Sequence, residues 1–162
     1  MAELKPKVIK LTSLLKEPLI DLDLKGRDKK QIIAELVELI AKSKKLTNKK
    51  AFFKIMVKRE KLGSTGIGAG VAIPHGRAKE VKSFALVFAR KKEGIDFGAL
   101  DGEKTYLFFA LASPENEIGG HLKILSEISR MVKDKSTVEL LKRIEDKKRV
   151  LKLISDLERQ QL

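Results

Sequence analysis

Apolar residues recur at two different spacings along the chain. A short apolar start, Val8 to Leu15, precedes a stretch from Leu19 to Leu24 in which Ile20, Leu22 and Leu24 alternate with Asp21 and Asp23. That period of two predicts a half-buried strand. The period then lengthens. Ile32, Ile33, Leu36, Val37 and Ile40 fall on one side of a helix, which Asp28 can cap with Gln31 as its capping-box partner. Thr47 or Asn48 opens a second predicted helix, running to about Lys61, with Phe52, Ile55 and Met56 turned inward. Two apolar runs, Ser83 to Ala89 and Thr105 to Ala112, lack polar alternation, which predicts strands covered on both faces; Pro114 closes the second. A helix from about Gly120 to Lys133 follows, carrying Leu122, Leu125, Ile128 and Val132. Ser136 with Glu139 reads as a further capping box, and Asp146 as the cap of a last helix with Val150, Leu151, Ile154 and Leu157. Helices before and after the strand pair predict an α/β sandwich with a mixed sheet. No repeat or linker divides residues 1–162, which are expected to form one domain.

One segment fits neither period. Gly63 to Arg77 contains five glycines in fifteen residues and ends in Pro74-His75-Gly76. Glycine permits left-handed backbone and close approach of a partner. Pro74 fixes its own φ and biases Ile73 towards extended geometry. Together they predict an imidazole held at a strand end, in a shallow dip of the surface.

Composition narrows the chemistry. The chain has no cysteine, which excludes disulfides, zinc–thiolate sites, iron–sulfur clusters and a cysteine nucleophile. No apolar run approaches the roughly 20 residues needed to span a bilayer, and Met1 to Lys10 lacks the apolar middle of a signal peptide. A cytoplasmic location without membrane insertion is expected. The formal charge is +13, and residues 1–61 carry most of it, with 17 basic against 8 acidic residues. One tyrosine, no tryptophan and no finger, zipper or RNA-recognition pattern give nucleic acid little to stack on. The charge therefore reads as a lysine-rich solvated surface that could steer an acidic partner.

His75 and His121 are the two histidines. A neutral imidazole at His75 can act as base, metal ligand or nucleophile. Two histidines without an acid cluster make a poor metal site, so no metal and no cofactor is expected. Acyl transfer lacks its nucleophile elbow, and Gly66-Ile-Gly68-Ala-Gly70 does not match the dinucleotide or phosphate-loop spacing. What remains is attack by His75 on phosphorus, a chemistry made mostly of positioning and charge stabilisation. Donors for the phosphoryl oxygens would be Arg59, Arg77, the Ser64 and Thr65 hydroxyls and backbone N–H groups around Gly66 and Gly68. His121 opens its predicted helix, where the dipole favours an anion.

At these residues the chain resembles a known family. Arg59-Glu60-Lys-Leu-Gly63-Ser64-Thr65-Gly66-Ile67-Gly68, then Gly70-Val-Ala-Ile-Pro74-His75-Gly76, is similar to the active-site signature of enzyme IIA domains. These belong to the fructose, mannitol and nitrogen-regulatory class of the bacterial phosphoenolpyruvate-dependent phosphotransferase system. The resemblance runs from about Val8 to the end. It implies a three-layer α/β/α sandwich with a mixed, roughly five-stranded sheet. It also implies that His75 carries the phosphoryl group on Nε2, that His121, in His121-Leu122-Lys-Ile-Leu125, assists, and that Arg59 lies near the phosphoryl group. Arg77 matches no fixed residue of the family. The implied donor is an HPr-like histidine phosphocarrier protein; the implied recipients are a separate IIB domain or regulated target proteins. A chain without B and C domains leans towards the nitrogen-regulatory branch, with a sugar-specific, fructose-type component as the alternative. A bulky residue at Gly68 is expected to obstruct the donor's approach.

Overall fold

The computed structural model describes residues 9–160. Val8, the first residue of the expected apolar start, lies outside the described residues. The elements are α1 (Leu11–Leu14), a 3-10 turn (Glu17–Leu19), β1 (Ile20–Asp21), α2 (Lys29–Ala41), α3 (Lys49–Lys61), β2 (Gly66–Gly68), β3 (Val71–Ala72), β4 (His75–Ala78), β5 (Ala85–Ile95), β6 (Thr105–Pro114), α4 (Ile118–Met131), α5 (Lys135–Arg143) and α6 (Lys147–Arg159). Helices α2 and α3 pack on each other and on one side of a mixed sheet. The other helical layer holds α4, α5 and α6, with α1 against α6. The α/β sandwich is as expected.

The sheet has six strands rather than about five, in the order β1-β5-β6-β3-β2, with β4 also on β6. The extra strand has a simple origin. β3 pairs in parallel with Leu107 and Phe108 of β6, and β4 with Leu111 to Pro114, so the two share one edge of β6 in succession. Pro74, which has no N–H, interrupts them, while its carbonyl still accepts from the Leu111 N–H at 2.9 Å. β5 and β6 are antiparallel and central, and Ala85–Lys91 and Leu107–Ser113 are buried without a break.

Several local expectations shift. Leu19–Leu24 keeps its alternating burial, but only Ile20 and Asp21 pair, in parallel with Phe88 and Ala89. The Asp21 carboxylate accepts the Asp23 N–H at 2.9 Å and so draws it from the ladder. Asp28 accepts from the Gln31 N–H, whereas Gln31 Oε1 accepts from Arg27, one residue before the cap. Asn48 caps α3. Asp134, not Ser136, caps α5: its carboxylate accepts both the N–H and the hydroxyl of Ser136, leaving Glu139 to pair with Lys142. Asp146 caps α6 as expected.

In α4 the buried stripe is His121, Ile124, Ile128 and Met131. Leu122, expected to face inward, is 59 % exposed. The helix begins at Ile118, two residues earlier than expected; Ile128 and Val132 are buried and Leu125 packs half-buried against the core, as expected, while in the first turn His121 points inward in place of Leu122. β5 likewise runs past Ala89 into Arg90 and Lys91, which are buried. Arg90 is 1 % exposed, and its guanidinium donates to the carbonyls of Leu22, Leu141, Lys142 and Ile144. It joins β5 to the segment just after β1 and to the end of α5.

Candidate active site

Three segments converge on His75. The first is the end of α3. Arg59 Nη1 donates to the Gly63 carbonyl at 3.0 Å and so lies over the start of the glycine-rich segment. Glu60, its neighbour, is buried. Its carboxylate accepts from the Thr65 N–H (3.1 Å), the Thr65 hydroxyl (2.5 Å) and Lys29 Nζ (2.9 Å). An acid so near a helix C-terminus opposes the helix dipole, and these donors offset that.

The second segment is the hairpin β2–β3 leading into β4. Gly68 (φ +91), Ala69 (φ +55) and Gly70 (φ +84) turn the chain in the left-handed region, and Asp101 holds the turn by accepting the Ala69 N–H at 2.9 Å. From there the backbone returns beside Thr65, whose carbonyl accepts the Ile73 N–H at 2.9 Å. The Ile73 carbonyl in turn lies 2.7 Å from His75 Nδ1. A carbonyl only accepts, so Nδ1 carries the proton and Nε2 keeps its lone pair. Gly76 lets β4 seat on α3: a Cβ there would meet Met56 Sδ at 3.2 Å and Phe52 at 3.3 Å.

The third segment is α4. His121, 5 % exposed, stands in its first turn, with Nδ1 2.7 Å from the buried hydroxyl of Ser113 on β6. It is the fourth residue of the helix, and its N–H is spent on the Glu117 carbonyl, so the side chain alone reaches the site. Its ring meets that of His75 edge to face, centroids 5.3 Å apart. Burial, reinforced by His75, Arg77 and Arg59, pushes the His121 pKa down to about 4. Burial also holds His75 below the ordinary imidazole value, with Arg59 adding to it against the opposing Ile73 carbonyl and Glu60 carboxylate. Both rings are therefore neutral near pH 7. Arg77, two residues along β4 from His75, projects to the same side and donates to the Glu115 carbonyl at 3.1 Å.

The arrangement brings together His75, His121, Arg59 and Arg77: one nucleophilic nitrogen, a neutral imidazole and two cations. The other residues named from sequence build the loop. Ser64 donates to the Phe97 carbonyl and accepts from the Gly66 N–H, both at 3.0 Å. The Thr65 proton goes to Glu60. Gly66 approaches Ala99, where a Cβ would sit 3.1 Å from its Cα, and a Cβ on Gly68 would meet Asp101 at 3.0 Å. Sequence reasoning missed Glu60, Lys29 and Ser113 as parts of the site. An acid at a helix C-terminus was the available signal for Glu60; nothing comparable marks Ser113. Among the described residues no group of three or more His, Asp or Glu converges as metal ligands would.

The family model for "Phosphoenolpyruvate-dependent sugar phosphotransferase system, EIIA 2" matches residues 13–157, and the chain belongs to that family. Within it, the chain is 37 % identical over 134 residues to a nitrogen regulatory protein of Bradyrhizobium diazoefficiens, covering 82 % of this chain and 86 % of that protein. It is 36 % identical over 124 residues to a fructose-specific EIIABC component of Bacillus subtilis; that match covers 76 % of this chain but only 20 % of the larger protein. Among solved structures, nitrogen regulatory protein IIA-Ntr of Neisseria meningitidis superposes with a TM-score of 0.84 at 35 % identity, covering 89 % of this chain and 98 % of that one.

Proposed function

We propose that this protein is a phosphocarrier: His75 Nε2 accepts a phosphoryl group from an HPr-like histidine phosphocarrier protein, and the phosphorylated and free forms act in nitrogen-type regulation. The observation that carries the reading is the His75 Nδ1–H bond to the Ile73 carbonyl, which leaves Nε2 unprotonated and aimed away from the backbone. Transfer exchanges one N–P bond for another. The bond to the donor's imidazole breaks as the bond to His75 Nε2 forms, and no proton moves at His75. Arg59 and Arg77 stabilise the negative charge of the transferring group, and His121 adds a neutral partner that costs no charge repulsion.

Donor and acceptor must approach in line, so another protein has to cover His75. Exposed apolar side chains lie on the segments that carry the site: Leu62 beyond Arg59, Ile67 on β2, and Ile118 and Leu122 around His121. They form the surface such a partner would cover. The chemistry draws on phosphoenolpyruvate, a cytoplasmic metabolite, and we assign the protein to that compartment.

The likeness to a fructose-specific EIIABC component supports a second reading, a sugar-specific IIA that hands its phosphoryl group to a separate IIB domain. Incubation with phosphoenolpyruvate, enzyme I and HPr, followed by intact-mass measurement, tests the first step. One phosphoryl increment is expected for wild type and none for His75→Ala. Adding a purified IIB domain separates the branches: loss of the label to IIB favours the sugar reading, and retention the regulatory one.

A further inference from the structure

We propose that Ser113 is a positioning residue that fixes the tautomer of His121, so that His121 presents an Nε2–H donor to the phosphoryl group on His75. The inference rests on the reading of His75 as phosphocarrier and adds a residue to that site.

Ser113 is fully buried on β6, directly across from Arg77 in the β4–β6 register. Its hydroxyl oxygen is 2.7 Å from His121 Nδ1, a distance that permits either direction of donation. If Nδ1–H donated to Ser113, the serine proton would need an acceptor of its own. Among the described residues Ser113 Oγ has no hydrogen-bond partner besides His121 Nδ1. A buried hydroxyl left without an acceptor is costly. Donation from Ser113 to Nδ1 satisfies both groups. A neutral imidazole that accepts at Nδ1 carries its proton at Nε2. Neutrality follows from burial beside His75, Arg77 and Arg59.

The direction of this one bond decides the sign of the contact. With Nε2–H, His121 offers a donor to an anion. With the proton on Nδ1, it would turn a lone pair towards the phosphoryl oxygens and repel them. The backbone around His121 holds the ring at a fixed depth. Gly120 packs so tightly that a Cβ there would meet the Phe84 ring at 2.5 Å, so α4 lies close against the start of β5. Ser113 thus mirrors the Ile73 carbonyl. One acceptor places the His75 proton on Nδ1, and one donor places the His121 proton on Nε2.

Long-range proton–nitrogen NMR of the imidazoles, recorded on the unphosphorylated protein near pH 7, tests the assignment. Wild type is expected to show His121 as the Nε2–H tautomer and His75 as Nδ1–H. Ser113→Ala, its fold verified from the amide spectrum, is expected to raise the Nδ1–H fraction of His121. Deleting a donor outright costs roughly 100- to 1,000-fold in rate, so loosening one should slow transfer from phospho-HPr about tenfold. Ser113→Thr, which keeps a hydroxyl, should restore the tautomer and most of the rate. An Nδ1–H signature at His121 in wild type overturns the proposal, as does a wild-type transfer rate in Ser113→Ala. If wild type takes no phosphoryl group at all, the phosphocarrier reading fails and the purpose given to Ser113 fails with it. The tautomer spectrum, which needs no transfer, shows separately whether the hydrogen-bond assignment was right.

Discussion

Replacing Glu60 by glutamine removes one charge from the buried end of α3 and tests how the loop is held. The carboxylate accepts from Thr65 N–H, Thr65 hydroxyl and Lys29 Nζ. The amide introduced by Glu60→Gln would keep one acceptor oxygen and turn its NH2 towards a remaining donor, so at least one N–H or ammonium group would lose its partner. Hydrogen bonds to charged groups contribute about 1.5–3 kcal/mol each, and breaking a buried pair from one side costs about 3–5 kcal/mol. Lys29 is about one-third exposed and recovers part of its loss by hydration, which puts the net cost near 3 kcal/mol. For a chain of this size that corresponds to a fall in Tm of roughly 6–12 °C. Lys29→Met should cost a comparable amount, because the carboxylate keeps its bonds from Thr65 but is left buried without its counter-charge. The effect reaches His75 through backbone: Glu60 holds Thr65, the Thr65 carbonyl holds Ile73, and the Ile73 carbonyl holds His75 Nδ1. Glu60 also raises the His75 pKa, so Glu60→Gln should lower it further. Urea unfolding of the two variants, with His75 titrated by NMR, measures both effects. If Glu60→Gln lies within about 0.5 kcal/mol of wild type, a range ordinary for surface substitutions, and leaves the His75 titration unchanged, the loop is not held in this way.

Arg90→Met should lose about 3–5 kcal/mol in urea unfolding, because four carbonyls around the buried guanidinium lose their donor at once. His121 has a native pKa of about 4, below its unfolded value near 6.5, so the unfolded state binds the proton first as pH falls. Its contribution is complete above pH 6.5 and is lost towards pH 4. His121→Gln should therefore gain on wild type by up to about 3 kcal/mol between pH 7 and pH 4, read from paired unfolding curves. Ile67 is 47 % exposed on β2, and Ile67→Asp should raise the KM for phospho-HPr while leaving stability within about 0.5 kcal/mol. If the lysine-rich first third steers the donor, transfer should also slow as salt rises above physiological strength, where the screening length is about 8 Å.

The glycine-rich segment was legible because its chemistry is local. Pro74, His75 and the glycines at 68 and 70 act through their own backbone preferences, so their order alone predicts an imidazole at a strand end; in the structure it opens β4. The caps at Asp28, Asn48 and Asp146 are local in the same sense. Features set by tertiary contacts were not legible. Charged residues ended the predicted strand at Ala89, although Arg90 is buried where the carbonyls of α5 converge on it. In α4 the expected inward positions hold at Ile128 and Val132 and partly at Leu125, but in the first turn His121 takes the inward place that was expected of Leu122. Ser113 looks like the end of an apolar run until α4 folds over it. Gly68 was read as open space for a donor, yet its φ of +91 and the nearby Asp101 mean that a leucine there strains the backbone itself. Ile67 is the cleaner probe of docking for that reason.

The central claim is that phosphorus is bound at one nitrogen of one residue. It is tested most directly by phosphorus and nitrogen NMR of the protein after treatment with phosphoenolpyruvate, enzyme I and HPr. A single phosphohistidine at His75, bonded through Nε2 with Nδ1 still protonated against the Ile73 carbonyl, is the predicted result. Phosphorylation at His75 Nδ1, at His121, or persisting in His75→Ala would contradict it.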